Sequence, residues 1–292
     1  MKYAFIKNLK QIYRLVTLCR VLGVTTQGYY AWSKRRPSTR KQQDEMLSAK
    51  ICISFAQSKG RYGSPRIHDD LRDQGIHCGR KRVARLMQEQ ELRAKAARKY
   101  KATTDSSKTK DIAPDLVQRN FKASAPNEIW VGDMTYLWTV EGWLYLAVLI
   151  DLYSRKIVGW ATSKRINAAL VSMAFVRAVA RRKPQPGLIV HTDQGSQYAS
   201  NAFRGELQKV GARQSMGSRG DCYDNAVAES FFHSFKVEAI YGCDIVTRRE
   251  MDYEVFDYIE YFYNKRRKHS AIGLCSPEQF EAGILMNRKA LA

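Results

Sequence analysis

From residue 127 onward, apolar runs of strand length alternate with amphipathic helices, and this alternation limits the possible folds most strongly. The runs at 129–137, 143–150 and 156–162 are joined by connections short enough for hairpins, so they predict an antiparallel meander. A helix capped by Asn167 follows. The next run, at 188–192, is reached through that helix, which predicts parallel pairing of this fourth strand.

The pattern continues with a short helix capped by Asn201 and a fifth strand over Arg213–Met216. The run at 143–150 is almost uniformly apolar, as expected of a central strand covered on both faces. The predicted fold class is α/β, a mixed five-stranded sheet flanked by helices. This core with its C-terminal helices is predicted over residues 127–285, followed by a tail over 286–292.

Small all-α units precede the predicted sheet. Residues 1–43 predict a helical, helix-turn-helix-like unit, although a plain helical hairpin fits the pattern equally well. Residues 44–93 predict a helical DNA-binding domain, in which Ser64 caps a helix and Pro65 occupies its first position. Residues 94–126 are rich in Lys, Arg, Ser and Thr without apolar periodicity, which predicts a basic linker that follows a DNA backbone or serves as a plain tether.

The second helix of the 44–93 unit, which opens after Gly79, has a basic outer side. Its apolar residues Val83, Leu86 and Met87 predict the buried face. The predicted DNA-contacting residues on the other side are Arg80, Lys81, Arg82 and Arg85. A recognition helix would present basic residues in this way, but a solvated basic face explains the pattern equally well.

The charge balance indicates a polyanionic partner. Lys and Arg number 49 against 28 Asp and Glu, a formal net charge of +21. Such an excess suits DNA, and it would also suit RNA. The six cysteines form no Cys-x-x-Cys pair, which argues against a zinc site or a disulfide framework. The scattered cysteines fit a reducing, cytoplasmic environment. No apolar run reaches the length of a membrane span, so we expect no membrane partner.

Three acidic residues form the candidate catalytic centre. Asp133 lies in the first predicted strand, Asp193 at the end of the fourth, and Glu229 at the start of an amphipathic helix. Carboxylates are preferred ligands of magnesium and manganese, and a pair of such ions can promote attack on a phosphodiester. Convergence of these acids would predict metal-dependent phosphoryl transfer. Separate, merely solvated acids fit the spacing equally well.

The helix that carries Glu229 has two distinct faces. Asn225, Glu229, His233 and Lys236 are four, four and three residues apart and therefore share one polar face. The predicted buried face consists of Val227, Ala228, Phe231, Phe235 and Ala239. Lys236 lies about two turns beyond Glu229, where it would hold a phosphate near the metal ions. Asn225 and His233, with His191 before Asp193, are predicted supporting residues.

Five segments together resemble a known family. Residues 132–136, 191–198 and 224–230 resemble the three acidic motifs of bacterial insertion-sequence transposases related to retroviral integrases. Residues 263–270 resemble the C-terminal signature of these transposases. Residues 61–67, together with the residues at 81–87, resemble the helical domain ahead of their core. The resemblance extends from about residue 10 to about residue 282 and implies an RNase H-like core.

The resemblance also implies the site and its partners. Asp133, Asp193 and Glu229 would form the catalytic, metal-binding triad for two Mg²⁺ ions, with Mn²⁺ as a substitute, and Lys236 would contact the element end. Further DNA contacts are predicted at the basic signature residues Lys265, Arg266, Arg267 and His269. The expected partners are double-stranded DNA, as terminal inverted repeats and target, and a second copy of the chain. The product of an upstream reading frame, in trans or fused, is a further expected partner.

The leading hypothesis is a DNA transposase that cleaves element ends and joins the 3′-hydroxyl to DNA. A non-catalytic regulator that binds element ends is the first alternative. An RNase H-type nuclease that cuts without joining is the second. A Ser, Tyr or His nucleophile is a weaker choice, because no general base is placed beside one by spacing.

Overall fold

The computed structural model describes residues 2–95, 112–118, 120, 122–217 and 226–283. The chain divides into two compact units, Met1–Arg93 and Ala94–Ala292. Within the described ranges, no helix combines the length and apolar character needed to cross a lipid bilayer.

The described part of the first unit is helical. Its helices are α1 (Lys2–Leu9), α2 (Leu15–Val21), α3 (Thr26–Ser33), α4 (Thr39–Gln57), α5 (Ser64–Asp73) and α6 (Arg80–Glu89). The predicted helix, glycine turn and second helix are present as α2, Gly23 and α3, and Gly23 has φ +60°. The helix α1 was not predicted from the sequence. Its residue Ile6 packs with Cys19 and Tyr29 in a small core.

Two details of this unit differ from the sequence pattern. The helix α4 runs without a break through the proposed junction between residues 43 and 44, and the division into domains there remains a prediction. The inward residues Leu47 and Ile51 of this helix stand among many polar ones, so the sequence shows only a weak apolar stripe. The cap of α5 is Gly63 rather than Ser64, because Gly63 has extended backbone (ψ 175°) and Ser64 is already helical. The start of α6 after Gly79 is confirmed.

The second unit contains the predicted mixed sheet. Its strands are β1 (Ile129–Thr139), β2 (Gly142–Asp151), β3 (Ile157–Ser163), β4 (Ile189–Thr192) and β5 (Arg213–Met216). The five strands lie in the order β3-β2-β1-β4-β5. The first three pair antiparallel, and β4 is parallel to both β1 and β5, which confirms the predicted topology. Gly132 pairs with Thr192, so Asp133 and Asp193 follow paired positions on adjacent parallel strands.

Helices complete this unit. They are α7 (Ala168–Arg182), α8 (Asn201–Lys209), α9 (Ala226–Phe235), α10 (Arg248–Phe256) and α11 (Pro277–Glu281), with π-helical turns at Lys236–Ile240 and Asp257–Tyr263 and a 3₁₀ turn at Ser270–Ile272. The Asn167 side chain caps α7, as predicted, by accepting from Leu170 N at 3.1 Å. The predicted cap of α8 is wrong by one residue: Ser200 is extended and accepts from Phe203 N at 3.2 Å, whereas Asn201 is already helical.

The contact between α7 and β3 requires a glycine at position 159. A Cβ atom there would lie 2.6 Å from Ala178 Cβ and would also collide with the carbonyl oxygen of Ala174. We therefore expect Gly159→Ala to lower the free energy of unfolding by about 1–3 kcal/mol, measured by urea denaturation. Gly205→Ala in α8 is the matched control, since its added methyl meets nothing within 4 Å. Equal stability of the two variants would contradict this packing.

Candidate active site

The three predicted acids come from three elements of the second unit. Asp133 lies on β1 and Asp193 directly follows β4, the parallel neighbour of β1. Glu229 lies in the first turn of α9, and α9 packs against β1. The pairing of Gly132 with Thr192 places Asp133 beside the end of β4, where Asp193 follows, and α9 brings Glu229 to the same strand β1.

Burial and the other two carboxylates raise the pKa of Asp133. Burial, followed by the negative charge of Asp193, raises the pKa of Asp133 from 3.8 to about 8, with a smaller effect of Glu229 in the same direction. Burial also raises the pKa of Asp193 and of Glu229. It lowers the pKa of the Lys236 ammonium, an effect that Asp133 opposes. In the absence of a bound cation, Asp133 therefore keeps its proton at neutral pH.

Local hydrogen bonds orient the two aspartates. Met134 N donates to Asp133 Oδ1 at 2.7 Å, and Gly195 N donates to Asp193 Oδ1 at 3.0 Å. Beside Asp193, the Gln194 side chain donates to the carbonyl oxygen of Gly217 at 2.9 Å. This bond joins the loop after β4 to the end of β5, which limits the positions that Asp193 can take.

The donor set suits a hard divalent cation. Carboxylate oxygens are the ligands that Mg²⁺ and Mn²⁺ prefer, and a cation would relieve the repulsion that raises the pKa of Asp133. Among the described residues, however, no three Asp, Glu, His or Cys side chains lie close enough together to hold one metal ion. The three carboxylates thus share one electrostatic environment, and binding a metal would require their side chains to draw closer together.

Magnesium is expected to raise the melting temperature of the chain, and more strongly at about pH 8 than at about pH 5.5. The folded pKa of Asp133 lies above its unfolded value of 3.8, so between about pH 4 and pH 8 the folded chain keeps a proton that the unfolded chain loses, and stability falls as pH rises. Asp133→Asn removes this cost and should stabilise the metal-free chain at about pH 8 by about 1–3 kcal/mol. Thermal unfolding with and without MgCl₂ measures both effects. The same pH dependence in parent and variant would contradict the shifted pKa.

Lys236 lies against β1. It begins the π-helical turn after α9, and its Nζ lies 5.0 Å from the centre of the Tyr136 ring. The predicted buried face of α9 is confirmed at Ala228, Phe231 and Phe235. Phe232 is buried as well, although it was not predicted, and Val227 is only partly buried.

The supporting residues have different surroundings. His191 is buried below the site, with Nδ1 2.8 Å from Ser215 Oγ, and so connects β4 to β5. His233 is exposed on α9. Asn225 lies outside the described residues.

Two of the predicted DNA contacts on α6 are engaged within the first unit. Arg82 Nε lies 2.6 Å from Asp44 Oδ1, and an Arg85 nitrogen lies 2.7 Å from Asp44 Oδ2. These contacts hold the pKa of Asp44 low, Arg85 having the larger effect, and they join α6 to α4. Arg82 and Arg85 therefore bind Asp44, and their contact with DNA remains a prediction. Arg80 and Lys81 are exposed, and their contact with DNA remains a prediction.

Arg267 was predicted to contact DNA, but the structure buries it. Its side chain is 6% exposed, and it donates to Glu238 at 2.8 Å and to Ser234 Oγ at 2.9 Å. The Tyr258 hydroxyl also donates to Glu238, at 2.8 Å. A buried carboxylate requires such partners, so Arg267 is part of the core rather than of a DNA-binding surface.

The other residues of the C-terminal signature differ in their exposure to solvent. Lys265 and Arg266 are exposed, and their DNA contacts remain predictions. His269 is partly buried, and its ring centre lies 4.7 Å from that of Tyr263. Asn264, which sequence reasoning missed, accepts from Ile157 N at 2.9 Å and donates to Ile157 O at 3.0 Å. The signature thus joins the C-terminal helices to β3. This role is visible only in the structure, because Asn264 and Ile157 are 107 residues apart in the sequence.

Comparison with known proteins agrees with this architecture. Two families described as integrase core domains match residues 123–222 and 229–285, respectively, and an HTH-like domain matches residues 41–100. The transposase InsF for insertion sequence IS3A of Escherichia coli (strain K12) is 46% identical over 283 residues, which cover 96% of this chain and 98% of that protein. The chain belongs to the IS3 family of insertion-sequence transposases. Membership of this family makes DNA transposition its activity and polynucleotidyl transfer its reaction class.

This transposase has a second relative in Lactococcus lactis. The transposase for insertion sequence element IS904 is 48% identical over 248 residues, covering 85% of this chain and 98% of that protein. The integrase core matches and the observed sheet order establish the RNase H-like fold of the transposase's second unit.

Solved structures similar to the transposase include two viral integrases. The HTLV-2 integrase catalytic core domain in complex with magnesium is 16% identical, covers 55% of the transposase and 99% of its own chain, and has a TM-score of 0.42. A simian T-cell lymphotropic virus intasome in complex with a PP2A regulatory subunit is 13% identical, covers 73% and 70%, and has a TM-score of 0.43.

Proposed function

We propose that this transposase cleaves the ends of its element and joins the released 3′-hydroxyl to DNA, using Asp133, Asp193 and Glu229. The observation that supports the proposal is that burial, with the negative charges of Asp193 and Glu229, raises the pKa of Asp133 to about 8, and that all three acids fall within the integrase core matches. Such perturbed carboxyl groups are frequent at catalytic sites.

The reaction consists of two transfers at phosphorus. Water attacks a phosphodiester at the element end, forming one P–O bond and breaking another, and leaves a 3′-hydroxyl. That hydroxyl then attacks a second phosphodiester, again exchanging one P–O bond for another. The three carboxylates are the proposed ligands of two Mg²⁺ ions, or Mn²⁺ ions in their place, which when bound would stabilise charge on the attacking and leaving oxygens.

The chain's own cations position the DNA. Lys236, which lies within electrostatic reach of Asp133, is proposed to bind a phosphate of the element end. Arg80 and Lys81 of α6, with Lys265 and Arg266, are the proposed contacts to terminal repeats or target. Because two ends must be brought together, we propose at least a dimer on nucleoid DNA in the cytoplasm. The upstream-frame product, in trans or fused, is a further proposed partner.

The proposal is tested by strand joining. Purified chain is incubated with MgCl₂ and a labelled duplex that carries the element's terminal repeat. The Asp193→Asn variant is assayed beside it, with Asp244→Asn as the matched control because Asp244 is an exposed acid. We expect joined product from the parent and the control, and none from Asp193→Asn.

The assay also separates the alternative functions. Binding of the repeat without nicking, even after the upstream-frame product is added, would overturn the proposal in favour of a regulator. Cleavage of an RNA–DNA hybrid without any joined product would favour an RNase H-type nuclease.

A further inference from the structure

The hairpin formed by β1 and β2 exposes a group of large aromatic rings. Tyr136, Trp138 and Trp143 are 45%, 50% and 43% exposed. Trp138 pairs with Trp143 across the hairpin, and their ring centres are 4.6 Å apart at 74°. Tyr136 lies two residues before Trp138, on the same face of β1, and its ring centre is 5.0 Å from that of Trp143. These three residues are called the hairpin aromatic cluster.

The backbone that carries the cluster is well supported. Val140 N, in the turn, donates to Val246 O at 3.0 Å, and the Thr139 hydroxyl donates to Gly142 O at 2.5 Å. Arg248 donates through its side chain to Trp143 O at 3.3 Å. Rings on such a supported hairpin lose little further freedom when a ligand binds, which favours a binding surface over a mobile tip.

Two cations lie beside the cluster, and Glu141, the acid of the hairpin turn, accepts from Arg248 N at 2.5 Å. The Lys236 ammonium lies 5.0 Å from the centre of the Tyr136 ring, and the Arg248 guanidinium lies at the base of the turn, 3.5 Å from where a Gly142 Cβ would be. Aromatic rings interleaved with cations are typical of surfaces that bind single-stranded nucleic acid, where bases stack on the rings and phosphates meet the cations. An apolar protein surface would not complement this charge.

The cluster also lies at a useful distance from the proposed catalytic centre. Tyr136 and Trp138 are three and five residues beyond Asp133 on β1, about 10 and 17 Å along the strand, and by strand alternation their side chains leave the face opposite to that of Asp133. Lys236 connects the two faces, because its Nζ lies 5.0 Å from the centre of the Tyr136 ring and it directly follows α9, the helix that carries Glu229 and packs against β1. One DNA strand advances about 3.4 Å per nucleotide, so bases that reach the cluster would be at least about three to five nucleotides from the phosphodiester held near Asp133.

We propose that the hairpin aromatic cluster stacks on unpaired bases of the DNA strand, a few nucleotides from the phosphodiester that is attacked. This inference rests on the proposed function, because it takes the neighbouring acids as the reaction centre. It assigns to the hairpin the recognition of locally opened DNA, which base pairing in an intact duplex would conceal. Stacking of this kind tolerates any base sequence, so the cluster would recognise the opened state rather than a sequence.

The test compares two fluorescein-labelled duplexes of the element's terminal repeat. One is fully paired, and the other carries a short unpaired patch beside the cleavage position. We expect the full chain to bind the patched probe more tightly, by about tenfold for each stacked base. Trp138→Ala and Trp143→Ala should each lose about tenfold of that preference, whereas Trp138→Phe should keep most of it. Tyr253→Ala is the control, because Tyr253 is an exposed aromatic residue on α10.

Far-UV circular dichroism and thermal melting establish that each variant is folded. A Trp138→Ala chain that keeps the full preference for the patched probe would overturn the proposal. The proposal would also be overturned if Trp138→Ala lost self-association in sedimentation while its preference for the patched probe stayed unchanged. The cluster would then bind a second copy of the chain. A parent chain that prefers the patched probe through Trp138 but joins no strands, even after the upstream-frame product is added, would sustain this inference and refute the proposed function.

Discussion

Replacing Glu229 by Gln is expected to reduce strand joining by about a thousandfold, which corresponds to about 4 kcal/mol of lost transition-state stabilisation. Glutamine keeps the size of the side chain and its place in α9, but it removes the charge that the proposed metal site needs. Glu229 is exposed and the buried side of α9 does not include it, so the fold should be unchanged. Binding of the terminal repeat should stay within about threefold, because phosphate contacts supply most of that affinity.

Single-turnover joining rates in MgCl₂ measure this effect, and a band shift measures binding. Asp244→Asn, which also removes one exposed carboxylate of the second unit, controls for the change in net charge. A Glu229→Gln chain that joins strands at the parent rate would show that Glu229 has no part in the chemistry.

Replacing Arg267 by Ala is expected to lower the free energy of unfolding by about 3–5 kcal/mol. The change leaves the buried Glu238 carboxylate with its Tyr258 hydrogen bond but without the guanidinium that lies 2.8 Å away. An uncompensated buried charge is costly, and Ser234 loses its partner as well. Much of the marginal stability of a domain would be lost, and soluble yield should fall with it.

Urea denaturation of the full chain gives the magnitude. Lys265→Ala, two residues earlier in the signature and exposed, should change the free energy of unfolding by less than about 0.5 kcal/mol. The double variant Glu238→Gln with Arg267→Met should recover part of the loss, since no charge then remains buried. If Arg267→Ala were as stable as Lys265→Ala and instead bound DNA less tightly, the original prediction of a DNA contact would be restored.

Apolar patterning was sufficient to predict the sheet. The runs that became β1, β2 and β3 are continuous and bounded by turn residues, and strand pairing follows from the length of the connections. The helical connection capped by Asn167 made the parallel pairing of β4 predictable. The positions of Asp133 within the first strand and of Asp193 at the end of the fourth followed from the same reasoning.

The role of Arg267 could not be predicted from its neighbours. It stands in a basic run whose other members include the exposed Lys265 and Arg266. Its burial depends on Glu238, which lies 29 residues earlier and is itself an ordinary acid in the local sequence. The ion pairs of Arg82 and Arg85 with Asp44 could not be predicted for the same reason, because about forty residues separate these partners in the sequence. Ion pairs between distant segments have no local signal.

The exposure of the hairpin aromatic cluster could not be predicted from the pattern of apolar residues either. Tyr136 and Trp138 alternate with buried residues along β1, and Trp143 opens a run of residues that are mostly buried. Apolarity alone predicts burial for all three. Their exposure depends on where the neighbouring helices end, which the spacing of apolar residues does not indicate.

The π-helical turn at Lys236–Ile240 limits how this part of the chain can change in length. The Tyr241 amide donates to the carbonyl oxygen five residues earlier, at 2.7 Å, so the turn holds one residue more than an α-helical turn would. Loss of a single residue here would let the helix continue but would rotate the residues beyond the loss by about 100°. Glu229 would keep its place while Glu238 turned away from Arg267. The exposed turn at 241–245 could accommodate an insertion or a deletion. At the π-helical turn, the same change would shift Glu229 of the proposed reaction centre relative to the buried pair of Glu238 and Arg267.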